Sequence, residues 1–182
     1  MLSIDRLVES AALLGRALEA RKRMIVTVES CTGGMIAMAL TETPGSSAWF
    51  DRGLVTYTNA AKSDLAGVPA QVIARHGAVS VEVARAMACG ALHRSPMAAL
   101  AVSVTGIAGP GGATPTKPVG TVVHGFAWRP ARHAPDAKGS AEGIEHQVLA
   151  RHYPGDRGEV RLAAAMFSLG QGLQLLREVI SE

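Results

Sequence analysis

The sequence predicts a three-layer α/β/α sandwich around a mostly parallel central sheet. Three observations carry that expectation. Short apolar, β-branched runs (Met24 to Val28, Ala98 to Val104, Val119 to Trp128) alternate with longer stretches of helical period. Polar or glycine-rich segments follow the strand candidates, as they do where strands turn into helices at a sheet rim. Finally, 182 residues with a 48% hydrophobic and 18% charged share can bury a core on both faces of a sheet, in one domain spanning residues 1–182.

Taken in order, Leu7, Ala11, Leu14 and Leu18 recur at helical spacing and give an opening helix one apolar stripe. Met24 to Val28 reads as a buried strand, and Glu29-Ser30-Cys31-Thr32-Gly33-Gly34 as its turn into a small-residue helix from Met35 to Leu40. Trp49 to Tyr57 offers a second strand, interrupted by a bulge or bend at Asp51-Arg52-Gly53. Asn59 caps a short helix that reaches Leu65 and ends at Gly67; Pro69 opens another that closes at Gly77. Ser80 and Glu82 begin a longer helix to Leu92, with Val83, Met87 and Ala91 on one face. The strand Ala98 to Val104 delivers the chain into a loop, Thr105 to Gly112, that continues through Pro115 and Lys117-Pro118 before the strand Val119 to Trp128. Arg129 to Lys138 reads as a basic, exposed connection, Ile144 to Tyr153 as an edge strand, and Asp156 to Ile180 as a final helix.

Composition excludes several functions. The net charge of +3 comes with no basic run longer than Arg21-Lys22-Arg23 and only 4% aromatics, so a nucleic-acid partner is not expected. The charge-free stretch Ser95 to Thr116 is long enough to span a membrane, but its glycines and prolines make it a strand running into a loop. The N-terminus lacks the basic start and apolar block of a signal peptide, and the two cysteines, Cys31 and Cys89, form no C-x-x-C pair. A reducing cytoplasm is the expected location. The six histidines fall into no ligand motif, so neither metal nor cofactor is expected. There is no G-x-S-x-G elbow, and the spacing of the 105–112 loop fits neither a dinucleotide fingerprint nor a P-loop.

If the strands are parallel neighbours, the loops at 29–34, 57–62 and 105–118 open on one rim. Ser30, Cys31 and Thr32 precede Gly33-Gly34, so a hydroxyl and free amides converge on a helix N-terminus; either they hold an anion, or Ser30 or Thr32 simply caps the helix. Counted from an Asn59 cap, Lys62 is the third helical residue. There the helix dipole lowers the pKa of an amine and makes it a general base, unless the side chain is merely solvated. Tyr57 either donates to the same centre or plugs the rim. Cys31 is a rival nucleophile or a small packed residue. Arg157 and Arg161, one turn apart, form a phosphate clamp or a solvated pair.

Together, Val28-Glu29-Ser30-Cys31-Thr32-Gly33-Gly34, Pro44-Gly45-Ser46-Ser47, Tyr57-Thr58-Asn59-Ala60-Ala61-Lys62, Gly77-Ala78-Val79-Ser80, Thr105-Gly106-Ile107-Ala108-Gly109-Pro110 and Lys117-Pro118-Val119-Gly120-Thr121 resemble the CinA C-terminal domain family, over nearly the whole chain from Leu7. The resemblance implies an α/β fold and hydrolysis of the carboxamide of nicotinamide mononucleotide to nicotinic acid mononucleotide and ammonia, in pyridine-nucleotide salvage. It also implies a serine/lysine mechanism without metal, and a homodimer. Lys62 and Tyr57 match the family lysine and tyrosine. Ser30 and Ser47 both match family serines, which leaves two candidate nucleophiles, with Ser30 favoured by its place on the rim and Ser47 left as nucleophile or oxyanion partner. Thr105 and Arg157 match positions expected to contact substrate, and Thr32, Gly33, Gly34, Asn59, Gly106 and Gly109 are further binding candidates in the same loops. Departures are Thr58 in place of a serine, Ala113 in place of a glycine, Ala99 in place of an aspartate, and a longer segment from Arg129 to His146. The alternative is a non-catalytic nucleotide-binding or regulatory module, since the family name derives from competence and DNA damage.

Overall fold

The computed structural model of the chain describes residues 2–130 and 143–178. Helix α1 (Ile4–Ala20) starts at Ser3, whose hydroxyl accepts from the Arg6 amide, and buries the predicted stripe of Leu7, Ala11, Leu14 and Leu18. Strand β1 (Met24–Glu29) follows, then α2 (Met35–Thr41), a single 3-10 turn at Ser46–Ala48 and β2 (Phe50–Val55). Next come α3 (Asn59–Ala66), α4 (Ala70–His76) and α5 (Val81–Arg94). Strands β3 (Ala98–Gly106), β4 (Thr121–Trp128) and β5 (Glu145–His152) lead to the last helix, α6 (Arg157–Glu178).

The sheet order is β2-β1-β3-β4-β5. The β2-β1-β3 half is parallel, as expected, whereas β4 runs antiparallel to β3 and β5 antiparallel to β4. Connection explains the change of sense. A parallel neighbour needs a crossover, supplied by α2 before β2 and by α3 to α5 before β3; the segments before β4 and β5 contain no helix among the described residues. Asp51 is skipped in the pairing of β2 with β1, which is the expected irregularity in that strand.

Two cores make the three layers. Leu7, Leu14, Leu18, Ile36, Leu40, Val160, Leu169 and Leu176 pack α1, α2 and α6 on one face of the sheet. Ala66, Ile73, Val83, Met87 and Leu92 pack α3, α4 and α5 on the other. A buried polar chain anchors α6: His124 of β4 meets the Ser168 hydroxyl through Nδ1 (2.9 Å) and the Tyr153 hydroxyl through Nε2 (3.0 Å). Burial pushes the His124 pKa down to about 3, so the ring is neutral and acts as a strut.

Two expectations are corrected. Thr58 is the cap of α3, its hydroxyl accepting from the Ala61 amide at 3.1 Å, so Asn59 is the first helical residue and Lys62 the fourth. Threonine caps about as well as the serine it replaces. Arg129 is half-buried, and its guanidinium donates to the carbonyls of Leu92, Ser95 and Ala98, closing the end of α5. The rest of the predicted basic connection, from residue 131, and residues 179–180 of the predicted final helix lie outside the described residues.

Candidate active site

The loops after β1, β2 and β3 open on one rim because these three strands are parallel neighbours. Into that rim α3 projects Lys62, which is 1% exposed. Its Nζ lies 3.0 Å from Ser30 Oγ, 2.8 Å from the Thr56 carbonyl oxygen and 3.4 Å from that of Tyr57. Among the described residues no carboxylate forms an ion pair with it. Burial lowers its pKa from 10.5, opposed in part by Cys31. Desolvation, rather than the helix dipole expected from sequence, is therefore the main cause. A neutral amine has two N–H groups and one lone pair. When the amine is neutral, with Thr56 and Tyr57 accepting its two protons, the lone pair is left for the hydroxyl of Ser30.

Ser30 is nearly buried, and its amide donates to the Val104 carbonyl, which ties the end of β1 to β3. Neither Ser30 nor Thr32 caps α2; the cap position is Gly34, with φ +93° and no capping side chain. The helix end is filled by Glu29 instead. Its carboxylate accepts from the amides of Gly34 (3.0 Å), Ile36 (3.1 Å) and Ala37 (2.8 Å). Gly33, with φ +63°, turns its amide to the Ser30 carbonyl. Gly33 and Gly34 thus shape the turn, and their amides are taken by the protein's own acceptors, which corrects their reading as substrate donors. Cys31 is buried and its thiol pKa is pushed up to about 11 by burial, which removes it as a rival nucleophile at neutral pH. The Thr32 hydroxyl is fully buried without a hydrogen-bond partner.

On the third loop, Thr105 donates its hydroxyl to the Ala78 carbonyl (2.8 Å). Gly106 is required by packing: a Cβ there would stand 2.9 Å from the Thr121 carbonyl oxygen. The first turn of α6 is set by reciprocal bonds between Asp156 and Glu159, a capping box. From it Arg157 donates to the Gly109 carbonyl and to the Tyr57 hydroxyl, each at 2.7 Å, bridging two of the loops. The Tyr57 ring is exposed, so the tyrosine sends its carbonyl to Lys62 and its hydroxyl to Arg157. Arg161 does not join Arg157 in a clamp; it donates to the carbonyls of Cys31 (3.1 Å) and Thr32 (2.9 Å). Asn59 is exposed at the start of α3.

Ser47 is not brought to this site within one chain. It is exposed on the 3-10 turn before β2, at the amino end of a strand whose carboxyl end carries Thr56 and Tyr57. Six extended residues separate those rims by roughly 17 Å. The sequence reading missed the role of Glu29, although an acid between an apolar strand and a Gly-Gly helix start is the signal of an internal cap. It also missed Lys117, which is half-buried and donates to the carbonyls of Val79 (2.6 Å) and His76 (3.4 Å). Among the described residues no group of three or more His, Cys, Asp or Glu is placed to hold a metal ion, and no helix is long and apolar enough to cross a membrane.

The chain is 47% identical over 175 residues to the nicotinamide-nucleotide amidohydrolase PncC of Enterobacter agglomerans, covering 95% of this chain and 97% of that protein. To PncC of Escherichia coli K12 it is 45% identical over 165 residues, 91% of this chain and 92% of the relative. The crystal structure of the competence/damage inducible protein CihA from Agrobacterium tumefaciens superposes with a TM-score of 0.81 at 42% identity, over 93% of this chain and 95% of that one. Matched by the family profile from residue 8 to residue 180, the chain belongs to the CinA C-terminal domain family.

Proposed function

We propose that this chain hydrolyses the carboxamide of nicotinamide mononucleotide to nicotinic acid mononucleotide and ammonia, with Ser30 as nucleophile and neutral Lys62 as general base. The observation that carries this is the 3.0 Å contact between a buried lysine without a carboxylate partner and a serine hydroxyl. The PncC relatives support the substrate, being named nicotinamide-nucleotide amidohydrolases. Lys62 takes the proton of Ser30 as Oγ attacks the carboxamide carbon, and returns it to the nitrogen as the C–N bond breaks and ammonia leaves. Water, deprotonated by the same lysine, then cleaves the acyl-enzyme, and Ser30 regains its proton. The substrate phosphate is assigned to the Arg157 side of the rim with the 106–109 loop, since the amides at the start of α2 are already occupied by Glu29.

Lys62→Met keeps the length and apolar stem of the side chain and removes the base. It is expected to lower kcat for ammonia release from nicotinamide mononucleotide by about 10³-fold, within the range for general base catalysis, with KM changed by less than about 3-fold. Ser30→Ala abolishes release, whereas Ser47→Ala retains it. Equal turnover by Lys62→Met and the parent, or loss in Ser47→Ala with retention in Ser30→Ala, overturns the assignment. The protein is placed in the cytoplasm, which suits two unpaired cysteines, and is assigned as a homodimer on family resemblance, for which sedimentation is the check.

A further inference from the structure

Of the tryptophan, tyrosine and phenylalanine side chains in this protein, Tyr57 is the only one that is exposed. Its ring is 57% exposed, and among the described residues no other ring or cation is stacked on it. Its two ends are nonetheless fixed. The carbonyl oxygen lies 3.4 Å from Lys62 Nζ, the atom that also meets Ser30, and the hydroxyl accepts from Arg157 at 2.7 Å. Arg157 in turn donates to the Gly109 carbonyl. Because β1 lies between β2 and β3, this link from Tyr57 to Gly109 passes across the carboxyl end of β1, where Ser30 stands.

The substrate assigned above spans the same two points. Its carboxamide belongs at Ser30 and Lys62 and its phosphate at Arg157, so the pyridinium ring between them runs alongside the Tyr57 ring. That pyridinium carries a positive charge, and the acids of the site are already engaged. Glu29 faces the amides of α2, and Asp156 and Glu159 accept from each other's amides. The face of an aromatic ring attracts a cation through its quadrupole and needs no carboxylate.

We propose that the Tyr57 ring is the platform on which the substrate's pyridinium stacks, and that it selects this cationic ring over a neutral one. Tyr57 holds substrate by the face of its ring and does not move a proton with its hydroxyl. Arg157 fixes the ring by its far end while serving the phosphate. A neutral Lys62 fits the same account, because an ammonium there would repel the pyridinium.

This inference rests on the serine/lysine amidase reading. Its test is calorimetric binding of nicotinamide mononucleotide and of its reduced, dihydropyridine form to the full chain carrying Lys62→Met, alone and combined with Tyr57→Phe or Tyr57→Leu. The reduced form keeps the carboxamide, ribose and phosphate but has a neutral, non-aromatic ring. Alongside it, steady-state ammonia release is measured for the parent and the two Tyr57 single variants. Tyr57→Leu is expected to weaken nicotinamide mononucleotide about 10-fold, with KM rising to match and kcat within about 3-fold, and to weaken the reduced form less than about 2-fold. Tyr57→Phe keeps the ring face and loses only the bond to Arg157, so it should weaken nicotinamide mononucleotide about 2- to 3-fold. Equal weakening of the two ring forms, or binding to Tyr57→Leu within about 2-fold of its background, overturns the platform. So does a loss of about 10²-fold in kcat shared by Tyr57→Phe and Tyr57→Leu, which would make the hydroxyl a proton-transfer group. Ammonia release by the parent reads the amidase itself: its absence overturns that reading and the platform with it, whereas release by the parent with unweakened binding in Tyr57→Leu overturns the platform alone.

Discussion

Replacing Glu29 by glutamine tests how far the catalytic loop depends on one buried carboxylate. The side chain is 1% exposed; Oε2 accepts from Gly34 and Ile36, and Oε1 from Ala37. Glutamine keeps the volume but offers a single oxygen. Its best placement leaves that oxygen on Gly34 and Ile36 and sets its own N–H against the Ala37 N–H, donor against donor. The unsatisfied buried amide costs about 1–3 kcal/mol, and each charge-assisted bond that becomes neutral about 1 kcal/mol. Removing a buried charge returns part of this, for a net loss of about 3 kcal/mol. At 2–4 °C per kcal/mol for a chain of this size, Tm falls by about 6–12 °C. Thermal unfolding of parent and Glu29→Gln at pH 7, followed by circular dichroism, reads the difference directly. Ammonia release should fall in the same variant, because Ser30 adjoins Glu29. A Tm within about 2 °C of the parent refutes the claim that this carboxylate organises the start of α2.

Cys31→Ala should keep turnover within about 3-fold, since burial holds the thiol protonated with a pKa near 11, and iodoacetamide should not inactivate the parent at pH 7; rapid inactivation at Cys31 would contradict this. The pH dependence has a definite sign. The neutral form of Lys62 is the base, so kcat/KM should rise with pH along a limb whose midpoint lies below 10.5. The same depression is a stability cost. Between the folded and unfolded pKa of Lys62 the unfolded chain binds more protons, so this residue's contribution to folding improves as pH rises through that window. Denaturant unfolding from pH 7 to 10 should show the slope in the parent and a smaller one in Lys62→Met; equal slopes would remove desolvation of Lys62 as its source.

What was legible in the sequence was local. The stripe of Leu7, Ala11, Leu14 and Leu18 and the β-branched run of β1 are set by period and side-chain shape, and both formed where expected. Lys62 was visible because a cation near a helix start conflicts with the helix dipole, but its burial, which does most to its pKa, depends on packing that no window of sequence contains. Thr58 and Asn59 are both good caps one residue apart, so the cap was misplaced by one. Ser30 and Ser47 share the same chemistry, and only the direction of β2 puts them on opposite rims. Arg157 and Arg161 share one helix face, yet they serve different loops because the docking of α6 brings Gly109 to one and Cys31 to the other.

A buried acid and a buried base in one small site would ordinarily pair, and pairing would stabilise the ammonium and remove its basicity. This fold keeps Glu29 and Lys62 apart by giving each a different set of backbone partners. The carboxylate lies against the N–H groups of α2, which carry the positive end of that helix, while the amine lies among the carbonyls of Thr56 and Tyr57. Cys31, between them in electrostatic terms, feels both: Glu29 raises its pKa and Lys62 lowers it. Burial lowers the Lys62 pKa, and Cys31 opposes that in part. The N–H groups at the start of α2 thus give Glu29 partners of its own, and Lys62 is left without a carboxylate ion pair among the described residues.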